Sequence, residues 1–238
     1  MRQSTDKHTM SRRGFLWVSA LWGGAMLGGR LPWAQRRFHT LAGSGLSLQE
    51  DLIPLPAPAL DGDMALERVL SLRRSVRAFT NKALTMQQLA QLLWAAQGIT
   101  SKDGKRTVPS AMASYPLDAY VVENDKKYHY LPDKHALALQ LTTKNLQRDL
   151  SRAAAGQNCV ATAPVVFVLT SQAARVRSRE EFGIQEIGHA AQNLLLQTVA
   201  LGLGAVPVGG MDRTQVQEVL QLPDGHVPYT LIPVGYPA

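Results

Sequence analysis

The sequence predicts one α+β domain, and three observations carry that prediction. Two are capping boxes, Thr85 with Gln88 and Asp212 with Gln215, which mark the starts of helices. The third is a β-branched and apolar run at residues 165–169, which follows a proline and is typical of a buried strand. Because 238 residues leave no room for a second full domain beside a leader, we expect these elements to share one core.

Apolar spacing predicts four helices. The first, around residues 66–70, runs into a group of arginines, and the second follows Thr85 and ends at Gly98. A long and nearly all-apolar helix spans residues 184–201, so we expect it to be central in the fold or to lie in a dimer interface. The last helix follows Asp212.

Strand patterns are clear at three places, residues 118–123, 165–169 and 229–234. Between the first two lies a mixed segment that runs from His135 to Leu150. Leu137, Leu141 and Leu146 have helical spacing there, so the sequence favours a helix in that segment.

An export signal is predicted in residues 1–34. The run Ser11-Arg12-Arg13-Gly14-Phe15-Leu16 precedes an uncharged apolar stretch that falls short of the ~20 residues needed to span a bilayer. Paired arginines before such a stretch are typical of a twin-arginine signal peptide, which the twin-arginine export machinery recognises and which carries folded proteins to the periplasm. A tightly bound cofactor is therefore expected. The cleavage site after Ala34 is poor because Pro32 precedes it, so retention of the leader as a membrane anchor stays open.

An irregular linker is predicted between the leader and the domain, over residues 35–62. This segment contains Pro54, Pro56 and Pro58, and proline disrupts helices and central strands. The domain itself is predicted to span residues 63–238.

The net charge of +7 does not indicate a nucleic-acid partner. Residues 1–34 hold five basic residues and one acidic residue, so the predicted leader carries +4 and the rest of the chain only +3. That remainder has neither zinc-finger spacing nor the aromatic run of an RNA-binding sheet. We therefore expect no nucleic-acid partner.

Hydrolase, metal and dinucleotide sites are not indicated either. The domain has no Gly-x-Ser-x-Gly motif, and its histidines and single cysteine lack metal-ligand spacing. Gly202-Leu203-Gly204 follows a helix, whereas the dinucleotide fingerprint follows a strand. Cys159 lies among small and apolar residues and is predicted to be a buried packing residue.

The densest cationic group of the domain is the arginine segment, residues 72–79. It contains Arg73, Arg74, Ser75 and Arg77, whose guanidinium and hydroxyl groups suit a phosphate. A basic helix end that complements the helix dipole is the alternative for Arg73 and Arg74, but it does not account for Arg77.

Two further segments are rich in small residues. The proline loop, residues 108–116, has small side chains that allow a flat ring to approach its backbone. The glycine turn, residues 202–210, leaves the long helix through a short strand and ends in Gly209 and Gly210. Taken alone, these glycines indicate a helix cap and a tight turn.

Together, and in this order, the segments resemble the FMN-dependent nitroreductase family, with the SagB-type dehydrogenases as the most similar branch. The resemblance covers about residues 66–237. It rests on Arg73-Arg74-Ser75-Val76-Arg77, Pro109-Ser110-Ala111 with Tyr115-Pro116, Gly156-Gln157 before Ala163-Pro164, and the runs 188–193, 200–204 and 232–237.

The resemblance implies a three-layer fold, with a mainly antiparallel sheet flanked by helices, and a homodimer that binds FMN at its interface. Arg73, Arg74 and Ser75 would hold the phosphate and ribityl tail, and Arg77 would approach the pyrimidine side of the ring. Two further groups would line the ring. The partner subunit would contribute Pro109, Ser110, Ala111 and Ala113. Pro207, Val208, Gly209 and Gly210 would lie near N5. Because the flavin performs the chemistry, no side chain is predicted to be catalytic.

The activity implied is the transfer of hydride or electrons through flavin N5 between a donor and a small-molecule acceptor such as a nitroaromatic or a quinone. NAD(P)H is not expected outside the cytoplasm, so after export either a membrane donor supplies electrons or the enzyme runs as an oxidase or dehydrogenase. Peptide azoline oxidases of the SagB-type branch carry a Lys-Tyr pair where this chain has Glu181-Phe182, which argues against that activity. The chain also ends at Ala238, without the basic phosphate ligands that many nitroreductases place after the last strand. A non-catalytic flavin-binding or interaction protein is the alternative from another class.

Overall fold

A seven-stranded antiparallel sheet organises the part of the chain that is described, residues 52–177 and 179–238 of a computed structural model. The spatial order of the strands is β1-β4-β3-β2-β5-β7-β6, and every neighbouring pair is antiparallel. In chain order the strands are β1 (Leu52–Pro54), β2 (Leu117–Glu123), β3 (Lys126–Leu131), β4 (Ala136–Thr142), β5 (Val165–Gln172), β6 (Gly204–Ala205) and β7 (His226–Gly235).

Six helices cover the two faces of this sheet. They are α1 (Leu66–Leu72), α2 (Met86–Gln97), α3 (Leu146–Ala153), α4 (Asn158–Thr162), α5 (Glu180–Ala200) and α6 (Arg213–Leu220). Central strand β5 alternates between two cores: Phe167 packs in the core with α2 and α5, and Val166 packs in the core with α3, α4 and α6. The predicted α+β class and three-layer architecture are therefore confirmed.

The predicted helix signals act as expected. Thr85 and Gln88 form a complete capping box at the start of α2, and Gly98 follows its last residue. The carboxylate of Asp212 accepts the Gln215 backbone N–H at 3.0 Å and so caps α6. Within 52–177 and 179–238, no helix combines the length and apolar character required to cross a membrane.

The segment from His135 to Leu150 differs from its prediction. Leu137 and Leu141 lie on strand β4, which forms a hairpin with β3, and only Leu146 begins a helix. Leucines at 137, 139 and 141 alternate as a strand requires, and the first and third of them also satisfy helical spacing. The sequence pattern was ambiguous, and pairing with β3 decided it.

The predicted linker also contains structure. Leu52–Pro54 pairs with β4 at the edge of the sheet, where a proline does not remove a required ladder hydrogen bond. After this strand, the buried side chain of Gln91 accepts from the backbone N–H of Ala59 and donates to its carbonyl, at 2.8 and 3.0 Å. The packed domain therefore begins before residue 63. The predicted leader lies outside the described residues.

Candidate functional site

The arginine segment lies beside the short strand β6. Helix α1 ends at Leu72, Arg73 follows as its C-cap, and Ser75 then forms a parallel bridge with Ala205. The Val76 N–H donates to the Ala205 carbonyl at 2.9 Å. The structure thus brings together two of the three predicted segments, the arginine segment and the glycine turn.

A glycine is required where these two segments meet. A Cβ atom added to Gly204 would lie 2.7 Å from Cβ of Val76 and 2.8 Å from its Cγ1. Any side chain at position 204 would therefore push the arginine segment away from β6.

The arginine segment is a cationic surface without internal compensation. Among the described residues, no carboxylate lies within 4 Å of the guanidinium nitrogens of Arg73, Arg74 or Arg77. Arg74 donates to the carbonyls of Ser71 and Arg73 at 3.1 and 2.8 Å, so it acts as the basic helix end that the sequence left open as an alternative. Arg73 and Arg77 have no such role and remain available to an anion.

Cys159 faces this region from α4. The residue is 4% exposed, which confirms the prediction of a buried packing cysteine. Burial raises the pKa of its thiol, while the nearby charge of Arg77 acts in the opposite direction. The proximity of Cys159 places Arg77 next to α4.

The glycine turn continues from β6 along β7. Val208 exchanges two hydrogen bonds with Leu231, at 2.8 and 3.0 Å, so its N–H is committed to the sheet. Gly209 and Gly210 are exposed, and within the described part of the chain their N–H groups have no acceptor. The side-chain amide of Gln157 donates to the Gly210 carbonyl at 3.2 Å and fixes the turn. Two backbone donors are therefore presented at the surface beside the exposed Pro207.

The proline loop has an unusual backbone. Met112, Ala113 and Tyr115 have φ values of 55°, 50° and 44°, in the left-handed region that side chains disfavour. Ser110 supports the turn by accepting the Tyr115 N–H at 2.8 Å, and Met112 is 68% exposed at its tip. Local strain of this kind is concentrated at functional sites.

The proline loop lies far from the other two segments within one chain. Ser110 is adjacent to Glu186 near the start of α5, whereas the glycine turn follows the end of α5. At a rise of about 1.5 Å per residue, Glu186 and Ala200 lie about 21 Å apart along the axis of α5. In addition, β2 and β6 are three strand spacings apart, about 14 Å. Within one chain, the proline loop is therefore separated from the other two segments.

A buried polar network beneath the proline loop was not predicted. Glu186 is 2% exposed, Gln97 donates to its carboxylate at 3.2 Å, and Arg106 donates to Gln97 at 2.5 Å. Burial raises the pKa of the Glu186 carboxyl despite the donors around it. The Arg106 guanidinium also lies 4.5 Å from the ring centre of Tyr115. Polar residues on the otherwise apolar faces of α2 and α5 were the available signal.

A second network joins residues that the sequence analysis treated separately. Asp118 accepts from His129 at 3.3 Å and from His226 at 2.9 Å, and it pairs with Arg175. Burial acts to raise the pKa of Asp118, but the hydrogen bond from His129 and the charge of Arg175 outweigh it and lower that pKa. Residues 52–177 and 179–238 contain no cluster of three or more potential metal ligands.

Comparisons with known proteins agree with this fold. A model of the Nitroreductase family matches residues 70–236. A Methanocaldococcus jannaschii protein named as a nitroreductase is 35% identical over 196 residues, which cover 78% of this chain and 97% of that protein. A Methanothermobacter thermautotrophicus protein named as an NADH dehydrogenase/NAD(P)H nitroreductase is 26% identical over 186 residues, or 75% and 82% of the two chains.

A solved structure gives the same result. A crystal structure of a protein from Ralstonia eutropha, described as a nitroreductase, matches with a TM-score of 0.72 at 32% identity and covers 79% of this chain and 90% of that one. The fold and these matches define an oxidoreductase with the nitroreductase architecture. The chain belongs to the nitroreductase family.

Proposed function

We propose that this chain is an FMN-dependent oxidoreductase that acts on a small molecule and works as a homodimer. The observation that carries the proposal is the meeting of the arginine segment and the glycine turn. There, Arg73 and Arg77 lie without ion-pair partners among the described residues. The exposed N–H groups of Gly209 and Gly210 follow shortly after Ala205, the residue that bridges to Ser75.

The residues present fit FMN. Uncompensated guanidinium groups and the Ser75 hydroxyl suit a phosphate dianion, and Arg74 contributes charge while it caps α1. The N–H groups of Gly209 and Gly210 can donate to the edge of a flat ring and orient it, since the exposed turn has no side chains to block approach. Bound FMN would supply the redox chemistry by transferring hydride or electrons at N5. The chain's own residues would bind and orient the cofactor and leave its reactive face open to substrate.

The proposed homodimer completes the site. Within one chain, most of the length of α5 separates the proline loop from the arginine segment. Its residues Pro109, Ser110, Ala111 and Ala113 are therefore too far away to share a ligand with the arginine segment of their own chain. Exposed apolar side chains on α1 and α5 supply contact area for a second copy: Leu66, Leu70, Phe182 and Ile184 are 58%, 51%, 41% and 43% exposed. We propose that the proline loop of each subunit covers the flavin held by the other.

The electron donor depends on where the protein works. One relative's name includes NAD(P)H, and a cytoplasmic protein could use that donor. We propose export through the twin-arginine route, on the basis of Arg12-Arg13 and the apolar stretch that follows. A periplasmic enzyme would take electrons from a membrane donor or from its own substrate. Nitroaromatics and quinones are the proposed acceptors, and the resemblance to SagB-type dehydrogenases remains a prediction.

The test is flavin binding by the purified protein. After addition of FMN and removal of the excess, we expect flavin absorption bands that disappear on anaerobic titration with dithionite. The Arg73→Ala, Arg77→Ala double variant should lose the flavin because it lacks the phosphate ligands. Its control is the Lys144→Ala, Arg148→Ala pair at the start of α3, which removes two exposed cations outside the three segments and should retain flavin.

The outcomes separate the parts of the proposal. An absence of flavin bands after FMN addition would refute cofactor binding, and full retention by the Arg73, Arg77 variant would show that the phosphate lies elsewhere. If dithionite reduces the bound flavin but NADH, NADPH and quinols do not, the result would favour a non-catalytic flavin-binding protein. Sedimentation of the flavin-loaded protein as a monomer would refute the shared site.

A further inference from the structure

A cavity lies at the opposite end of the sheet from the glycine turn, where β2 begins and β3 ends. Its volume is about 280 Å³. A water molecule occupies roughly 30 Å³ in the liquid, so the cavity has room for a ligand of roughly nine non-hydrogen atoms. The lining residues used below are Arg106, Tyr130, Asp133, Lys134, Asp118 and Arg175.

Arg106 is the principal cation of this cavity. It is half-buried, and no carboxylate lies within 4 Å of its guanidinium among the described residues. The groups in direct contact with it are neutral, the Gln97 amide oxygen at 2.5 Å and the Tyr115 ring at 4.5 Å, and its buried Nε–H has no acceptor in that part of the chain. The carboxylates of Asp133 and Glu186 act on Arg106 from beyond 4 Å. A half-buried guanidinium with an unused N–H donor and no carboxylate in contact favours an anion that can accept from that donor.

The other walls strengthen this preference. Arg175 lines the same cavity and adds a second guanidinium to it. Its partner Asp118 is already engaged by His129 and His226.

Lys134 and Asp133 lie on the turn that follows β3, and both are exposed. The residues that line the cavity therefore include three cations and two carboxylates, a net charge of +1 with His129 neutral.

We propose that this cavity binds a small organic carboxylate. A carboxylate accepts two parallel hydrogen bonds from a guanidinium, a geometry that the planar Arg106 fork can provide. Tyr130, Leu131 and Pro132 line the cavity as well and offer an apolar wall to the rest of the ligand. The proposal does not depend on flavin binding, because none of these residues belongs to the arginine segment or the glycine turn.

The experiment is calorimetric titration of the purified protein, with and without added FMN, using benzoate and its neutral isostere benzamide. We expect benzoate to bind and benzamide not to bind, in both preparations. Arg106→Gln should weaken benzoate binding at least about tenfold, because a charge-assisted hydrogen bond is lost. Lys134→Gln, an exposed substitution that should not disturb the fold, should weaken it by about two- to threefold. The control Arg148→Gln should bind as the unmodified protein does.

Several results would overturn the proposal. These are equal affinity for benzoate and benzamide, no benzoate binding at millimolar concentrations, and unchanged binding by both the Arg106 and the Lys134 variant. Benzoate binding in the flavin-free protein tests the cavity alone. A failure of FMN binding would therefore leave this result interpretable, and a failure of benzoate binding would not affect the flavin proposal.

Discussion

The substitution Gly204→Ala tests the contact between the arginine segment and β6. The added Cβ would lie 2.7, 2.8 and 3.0 Å from Cβ, Cγ1 and Cγ2 of Val76. Gly204 is buried and pairs with Gly235, so its backbone cannot move outward without breaking the pair between β6 and β7. Val76 must move instead, and overpacking of this kind lowers the free energy of unfolding by about 1–3 kcal/mol.

The same movement should weaken flavin binding. Val76 is held to Ala205 by its N–H and is flanked by Ser75 and Arg77. Displacement of that backbone misplaces the proposed phosphate ligands, and the loss of one charge-assisted hydrogen bond corresponds to at least about a tenfold higher Kd for FMN. Urea unfolding and quenching of FMN fluorescence measure the two effects.

A second-site change makes the test specific. Because the shortest contact is with Cβ of Val76, Val76→Ala should relieve the clash only in part, whereas Val76→Gly should remove it. In a double-mutant cycle, Gly204→Ala with Val76→Gly should show a favourable coupling of about 1–2 kcal/mol. The control is Gly62→Ala, where an added Cβ meets nothing within 4 Å. An unchanged urea midpoint and FMN affinity for Gly204→Ala would refute the reasoning.

Three other predictions concern stability. Asp118→Asn should lower the free energy of unfolding by about 1–3 kcal/mol, because it removes the carboxylate that pairs with Arg175, whose 38% exposed side chain can be partly solvated by water. It should also reduce the loss of stability at acid pH, since the depressed pKa of Asp118 gives stability that is present above pH ~4 and lost as the pH falls. Burial lowers the pKa of Lys127 to about 8. Between pH 8 and pH ~10.4 this lysine therefore binds a proton in the unfolded chain but not in the folded chain, so the free energy of unfolding should rise with pH by at most about 1.4 kcal/mol per pH unit. Lys127→Met should remove that slope, whereas Lys126→Met should retain it. Met112→Gly should stabilise the protein by up to about 1 kcal/mol, since glycine relieves the φ of 55°, and Met112→Ala should not.

Urea unfolding at several pH values checks all three. An Asp118→Asn loss no larger than that of the exposed Asp224→Asn would show that the carboxylate is not required. A Lys127→Met protein that kept the alkaline slope would assign that slope to another group. Equal stability of the glycine and alanine variants at Met112 would show that the loop is not strained.

Local signals were sufficient for the capped helices α2 and α6 but not for the hairpin. Thr85 and Asp212 cap helices through bonds to residues three positions away, so the sequence contains all of the information. Strand β3 reads Lys-Lys-Tyr-His-Tyr-Leu and buries Lys127, whose ammonium donates to the Leu220 carbonyl at 2.7 Å. A charged residue that becomes buried only through a partner 93 positions away gives no local strand pattern.

The candidate site was predictable to the same extent. Arg73, Ser75, Gly209 and Gly210 could be named because hydrogen-bonding groups and small residues cluster along the chain at both segments. That the two segments meet depends on the bridge between Ser75 and Ala205, which follows from sheet order and not from any motif. The networks around Glu186 and Asp118 draw their members from distant positions, so the sequence could mark single polar residues such as Gln97 and Glu186 on apolar helix faces but not their partners.

The length of α5 explains why the proposed site needs two chains. This helix holds Ser110 beside Glu186 near its first turns and leads into the glycine turn at its end, and Glu186 and Ala200 are about 21 Å apart along it. In the proposed homodimer, a two-fold axis across paired α5 helices would reverse the direction of one of them. The start of one helix would then lie beside the end of the other, and the proline loop of one chain would lie near the glycine turn of its partner. Phe182 and Ile184, exposed near the start of α5, are the side chains that such a pairing would bury.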